Sequence, residues 1–253
     1  MVHYVLILAA GAGIRLKNAK IPKQFLELDN RPLVMHSAIA FKQADPNAEL
    51  YIALPKGYAL KWEKLCQKYN FYIPHTIYVG GESRRDTVLI GLKKIYDTIN
   101  STSLGKELSA KKPLVSIHDA ARPFISPEFI LELITSAKQH GSAVPVLNLK
   151  NSLRKFNREQ EFTSFYRNRD HYVITQTPQV FIFNDIYNAY LKVTKFESSN
   201  LDKQFFDDSA FFDYLNNMKF AHTIKGREYN IKITSDLDYF LAPRIYKFLK
   251  GLR

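Results

Sequence analysis

Three short turns in this 253-residue chain gather the groups that could handle phosphate. The first is AAGAGIR at residues 9–15, with Lys23 following. Gly11 and Gly13 leave the backbone bare, so main-chain N–H groups can approach phosphate oxygens, and Arg15 and Lys23 add fixed positive charge. The second, GGESRRDT at residues 80–87, joins two glycines to Glu82, Ser83, Arg84 and Thr87, which can read the edge of a base through main-chain and hydroxyl hydrogen bonds. The third, HDAARP at residues 118–123, carries Asp119 and Arg122. A lone carboxylate there can hold Mg2+ if waters and substrate phosphates supply the other ligands.

Each feature also has a plainer reading. GAG is equally a tight turn after a strand, and Thr87 is equally a helix N-terminal residue satisfying backbone donors. Asp119 could be a turn aspartate bonded to nearby N–H groups, and Arg122 either binds an anion or pairs with Asp119. Neither standard phosphate motif is present. Leu16 occupies the third glycine position of a dinucleotide fingerprint, and no GK is followed by Ser or Thr.

The turns need elements to position them, and each follows an apolar run: Val5 to Leu8, Thr76 to Val79 and Leu114 to Ile117. Further strands are expected at Leu50 to Leu54 and Ser142 to Val146. Helices alternate with them, from Pro32 to Ala44, across Trp62 to Tyr69, and from Arg84 with Val88, Leu92, Ile95 and Ile99 at spacings of three and four. Ser126-Pro127 caps another running to about His140. This alternation predicts an α/β fold with a mostly parallel sheet and helices on both faces. In such sheets ligands bind beyond the carboxyl ends of the strands, where all three turns fall.

Towards the C-terminus the pattern gives helices near residues 185–194 and from about Asp207, a strand from Asn230 to Thr234, and a last helix boxed by Ser235 and Asp238. The chain is expected to be one domain over residues 1–253, with residues 97–113 as a surface insertion. Residues 148–171 break the α/β rhythm and read as a projecting β-arm. Phe156, Phe162, Phe165 and Tyr166 would be exposed on it, which points to a dimer contact; an arm folded back on its own domain is the alternative.

Hydrophobic residues at 46% and charged residues at 24% fit a soluble globular protein. The N-terminal apolar run is short and lacks a basic leader, so neither a signal peptide nor a membrane span is expected, and the expected location is the cytoplasm. Cys66 is the one cysteine, which excludes an internal disulfide and a cysteine zinc site. A net charge of +12 fits nucleic acid, an anionic membrane or a phosphorylated small molecule. A basic nucleic-acid-binding protein would explain the charge and the aromatic arm, but not the three turns.

LAAGAGIRL, PKQF, GGESRRDTV, HDAARPF, QTPQVF and NIKIT, in that order, resemble the blocks of the sugar-phosphate cytidylyltransferases. The resemblance runs from Tyr4 to about Ala242, excepting residues 97–113. It is nearest to the enzymes acting on 2-C-methyl-D-erythritol 4-phosphate, and the ribitol-5-phosphate enzymes share the blocks. HDAARP leans to the former, because the latter often carry valine at the position of Ala121.

The resemblance implies a Rossmann-like nucleotidyltransferase fold, a homodimer made through the arm, and transfer of CMP from CTP to a polyol phosphate with Mg2+. Nucleic acid and membrane are not expected partners. Carried over by motif, Ala9, Ala10, Gly11, Gly13 and Ala120 would wrap the nucleotide, and Gly81, Glu82 and Thr87 would read cytosine. Arg15 and Lys23 would neutralise the triphosphate, Lys232 would reach the α-phosphate, and Asp119 would position Mg2+. Arg122, Thr177 and Arg169 would grip the acceptor, Arg169 from the partner's arm. The chain departs from the pattern in a loop between Arg15 and PKQ that is about one residue longer than the common form, and in Phe206-Asp207-Asp208 where many relatives have Thr-Asp-Glu or Thr-Asp-Asp.

Overall fold

Alternation along one strand sets the layers. In β1 (His3–Leu8), Tyr4 and Leu6 pack to one side and Val5 and Ile7 to the other, all of them buried. A strand buried on both faces belongs at the centre of a sheet covered on both sides. The computed structural model describes residues 2–11, 21–101, 112–157, 163–195, 207–215 and 220–251.

A small hairpin, β2 (Glu27–Leu28) and β3 (Arg31–Pro32), follows β1, and then β4 (Glu49–Leu54), β5 (Thr76–Val79) and β6 (Leu114–Asp119). β1 pairs in parallel with β4 and β6, and β4 with β5. Beyond β6 come β7 (Ser142–Asn148), an arm hairpin of β8 (Leu153–Phe156) and β9 (Ser164–Arg167), then β10 (Val173–Thr175), β11 (Gln179–Ile182) and β12 (Thr223–Lys225). The eight-stranded sheet has the order β10-β7-β11-β6-β1-β4-β5, with β12 pairing β7 in parallel. β10 and β11 run antiparallel to their neighbours.

Helices α1 (Leu33–Ala44), α2 (Ala59–Lys68) and α4 (Pro127–His140) cover the Val5 face. The Tyr4 face is covered by α3 (Arg84–Ser101), α5 (Phe183–Lys195) and α6 (Asp208–Leu215). The α/β layering expected from the sequence is therefore what the chain forms. Val88, Leu92, Ile95 and Ile99 of α3 are all buried, as their spacing requires. The polar stretch from residue 97 begins inside α3, which continues to Ser101, and residues 102–111 lie outside the described residues. In the arm, Phe156, Phe165 and Tyr166 are exposed, and Phe162 lies outside the described residues.

One expected strand does not form. Residues 230–234 join no sheet, and the unforeseen β12 pairs with β7 instead. Isolated bonds replace a ladder in this stretch: Ile233 N–H donates to Ala121 O at 2.8 Å, and Ile233 O accepts from Lys23 Nζ at 3.0 Å. Ile233 is buried with Leu28, Leu33, Phe124 and Ala242, so its apolar character serves a local cluster under the last helix, α7 (Asp236–Leu249).

The capping box opening α7 is present as expected. Asp238 N–H donates to Ser235 Oγ at 3.2 Å, and Ser235 N–H donates back to Asp238 Oδ2 at 2.8 Å. Replacing Ser235 with Ala should lower stability by about 1 kcal/mol, read as a lower urea midpoint with an unchanged slope.

Candidate active site

The carboxyl ends of β1, β5 and β6 open into one cleft of about 590 Å³. Of the residues singled out in the sequence, Ala10, Gly11, Lys23, Gly81, Glu82, Ser83, Arg84, Thr87, Asp119 and Lys232 line it. Gly13 and Arg15 lie outside the described residues.

The first turn is held by a side chain the motif analysis passed over. Gln24, from PKQF, sits on a short 3-10 turn at Lys23–Phe25, and its Nε2 donates to Ala9 O at 2.5 Å and to Gly11 O at 2.9 Å. In the second turn the glycines are required by crowding. A Cβ on Gly80 would fall 2.2 Å from the Cβ of Ala10, and one on Gly81 would fall 2.4 Å from that of Asp86. Thr87 Oγ1 accepts from Gly81 N–H at 3.1 Å and donates to Ser83 O at 2.9 Å, so its hydroxyl braces this turn.

The cleft floor is a chain of alternating charge. Asp119 ends β6, and its N–H donates to Thr177 Oγ1 at 3.0 Å. Lys232 Nζ lies 2.7 Å from Asp119 Oδ2, and Arg84 Nε lies 3.4 Å from Oδ1. The Arg84 guanidinium also forks onto Asp208, with Nη1 and Nη2 at 2.9 and 2.7 Å from its two oxygens. Asp208 is fully buried and accepts from Tyr190 Oη at 2.6 Å.

Burial alone would raise the Asp119 pKa, but Arg84 and Lys232 outweigh it and hold the carboxyl well below its usual range. The same balance works in reverse at Arg84, where burial opposes the charge but Asp208 and Asp119 stabilise it and push the pKa well above normal. Asp119 is thus a fixed anion and Arg84 a fixed cation.

A model of the 2-C-methyl-D-erythritol 4-phosphate cytidylyltransferase family matches residues 3–247. The chain belongs to this family.

A family enzyme of that name from Azobacteroides pseudotrichonymphae is 33% identical over 242 residues, covering 96% of this chain and 97% of the relative. Another, from Bacteroides thetaiotaomicron, is 30% identical over 238 residues, covering 94% and 96%. Among solved structures, the family enzyme of Thermus thermophilus superposes with a TM-score of 0.69 at 27% identity, covering 98% of this chain and all of its own. The 4-diphosphocytidyl-2C-methyl-D-erythritol synthase of Anaerococcus prevotii superposes with a TM-score of 0.76, covering 97% and 96%; at 22% identity it bears on the fold alone.

Against the family's motif, the remaining residues fall around the cleft rather than in it. Ala9 and Ala120 are buried beneath it, with Ala120 N–H donating to Leu8 O at 3.2 Å, and Ala121 takes the lining position. Arg122 Nη1 donates to Asn230 O at 2.7 Å, tying the HDAARP turn to the stretch that carries Lys232. Burial lowers the Arg122 pKa, against the pull of Asp119. Thr177 is buried behind Asp119. Arg169, on the short turn Arg169–His171, is part of the arm and donates to Lys150 O, outside the cleft lining.

Sequence reasoning did not find the tasks of Gln24, Asp208 or Tyr190. Gln24 was inside a quoted block, which was a usable signal. Asp208 and Tyr190 lie far from Arg84 in sequence, and nothing local joins them.

His118 supports the floor from below. Its Nε2 is 3.1 Å from Arg122 O and its Nδ1 is 3.3 Å from Thr177 Oγ1. Burial pushes its pKa down from 6.5 to about 4, so it is neutral when folded near pH 7. The unfolded chain binds this proton first as pH falls, so the stabilisation is complete above the unfolded value and is lost as pH drops from about 6.5 towards 4. The loss should be about 3 kcal/mol across that window, since one unit is worth about 1.36 kcal/mol. Urea titrations of metal-free protein at several pH values should show this slope, and His118→Gln should flatten it.

Proposed function

We propose that the chain transfers CMP from CTP to 2-C-methyl-D-erythritol 4-phosphate, giving 4-diphosphocytidyl-2-C-methyl-D-erythritol and pyrophosphate. The observation that carries this reading is the single cleft where two glycine turns face Asp119, Lys232 and Lys23, in a chain that belongs to the family. Membership also favours a small phosphorylated substrate over nucleic acid as the object of the basic cleft.

An oxygen of the acceptor phosphate attacks the α-phosphorus of CTP in line, one P–O bond forms, and the bond to the β-phosphate oxygen breaks as pyrophosphate leaves. Both reactants are anions, so the protein's work is positioning and charge neutralisation, without a protein nucleophile. Lys23 and Arg15 take the triphosphate charge, and Lys232 takes the α-phosphate, where charge rearranges. Backbone N–H groups at Ala10, Gly11 and Glu82 hold the nucleotide, with the second turn, braced by the Gly81 N–H to Thr87 bond, facing cytosine.

The donor set fits a Mg2+ that arrives with its nucleotide. No group of three or more His, Cys, Asp or Glu side chains suited to a metal occurs among the described residues, whereas Asp119 offers one ionised carboxylate at the cleft floor. Mg2+ is held by one or two carboxylates together with substrate phosphates. When bound it supplies charge stabilisation at the phosphates, and Asp119 fixes its place.

The reading includes a homodimer through the arm. Exposed Phe156, Phe165 and Tyr166 support it, as does Arg169, which serves a cleft only if a second copy presents it. It also includes a cytoplasmic location, where CTP is made; no described helix is long and apolar enough to cross a membrane.

Pyrophosphate release from CTP and Mg2+ should require methylerythritol phosphate, with ribitol 5-phosphate and no acceptor as parallel arms. Preference for ribitol phosphate would overturn the acceptor, and release from ATP, GTP or UTP at equal rates would overturn the nucleotide. In the same assay Lys23→Ala or Arg15→Ala should cut turnover by about 10²–10³ in a protein that a thermal melt shows is still folded, the usual effect of removing one transition-state donor.

A further inference from the structure

Two groups given opposite tasks by the reading above hold each other in the free protein. Lys232 Nζ is 2.7 Å from Asp119 Oδ2, and Arg84 stands on the other oxygen. These two cations are not alike. Arg84 is clamped by both oxygens of Asp208, which is itself buried and bonded to Tyr190, so it stays where it is. Lys232 comes from the irregular stretch before α7, and its side chain is 38% exposed while that of Asp119 is 11% exposed. An ammonium on a flexible four-carbon stem can exchange one anion for another at little conformational cost.

A divalent cation approaching Asp119 in the free protein would meet a carboxylate already neutralised, and repulsion from an ammonium and a guanidinium beside it. A triphosphate in the same cleft offers Lys232 an anion of higher charge. We propose that Lys232 locks Asp119 in the free protein: the nucleotide draws the ammonium onto its phosphates, and only then does Asp119 have a free oxygen for a divalent cation. Metal therefore enters with the nucleotide and not before it. Lys232 acts twice, first as the gate on the metal ligand and then at the α-phosphate. This rests on the reading of the cleft as a CTP site with Asp119 as the metal ligand.

Mn2+ alone, followed by the loss of its free-ion electron paramagnetic resonance signal, tests the lock without turnover. Wild type should take up little Mn2+ alone and, once α,β-methylene-CTP is added, should bind it stoichiometrically beyond the uptake by the analogue without protein. Lys232→Met should bind Mn2+ without nucleotide, with affinity raised by at least about tenfold, a difference of about 1.4 kcal/mol. Adding Asp119→Asn to that variant should abolish the gain, and Lys232→Arg should keep the lock. Equal Mn2+ binding by wild type and Lys232→Met, or no nucleotide-free binding by either, overturns the proposal. A thermal melt checks each variant, and Lys232→Gln replaces Lys232→Met if the latter does not fold. Failure of the wild type to bind the CTP analogue by calorimetry would count against the CTP reading itself, while the nucleotide-free comparison would still decide the lock.

Discussion

A carboxylate with no access to water must find a cation, and at Asp208 that cation is Arg84. The pair reaches across the fold: Arg84 opens α3, and Asp208 opens α6. Breaking such a pair by removing one partner typically costs about 3–5 kcal/mol, because the survivor is left buried and uncompensated. The bidentate fork also fixes the plane of the guanidinium, which leaves Nε facing Asp119. The orientation of the cleft floor thus follows from an ion pair that does no chemistry. Tyr190 completes the arrangement, since its hydroxyl donates a second hydrogen bond to the Asp208 Oδ1 that Arg84 Nη1 also holds.

The backbone turns around this floor obey a second constraint, which is space. β1 and β5 do not touch each other; β4 lies between them, yet the turns that follow them meet over the cleft. Their meeting is close enough that Gly80 leaves no room for even a Cβ beside that of Ala10. Gln24 then fixes the start of the first turn from outside by two carbonyl bonds, at Ala9 and Gly11. Ordered blocks in the sequence are in this sense a record of crowding: small residues stand where two turns pass, and polar side chains stand where a carbonyl would otherwise lack a donor.

That explains what could be read from the sequence. The layers followed from period-two burial in β1 and period-three-and-four burial in α3, both local signals. The turns could be seen because Gly, Asp and Arg cluster within a few residues of strand ends. The irregular stretch at residues 230–234 misled the pattern reading because Ile231 and Ile233 alternate as in a strand, while the hydrogen bonds that decide the matter come from Lys23 and Ala121, remote in sequence. Thr87 carried two readings that composition could not separate, and its bond with the Gly81 N–H, six positions away, is one that no local pattern announces. The partnership of Arg84 with Asp208 was invisible for the same reason, since 124 positions separate them.

The contrast between the two cations on Asp119 follows from their chemistry as well as their setting. A guanidinium suits a permanent, planar, two-point contact, and Arg84 has one with Asp208. An ammonium suits a contact that must be exchanged, and Lys232 sits at the edge of the cleft on a segment that no sheet restrains. A site that must bring two anions together gains from holding its own charges in balance until they arrive. With Lys232 on Asp119 and Arg84 on Asp208, each fixed anion of the floor has a cation beside it, so the floor asks for no counter-ion in the free state. Incoming phosphate upsets that balance in one direction only, by taking the cation that can move.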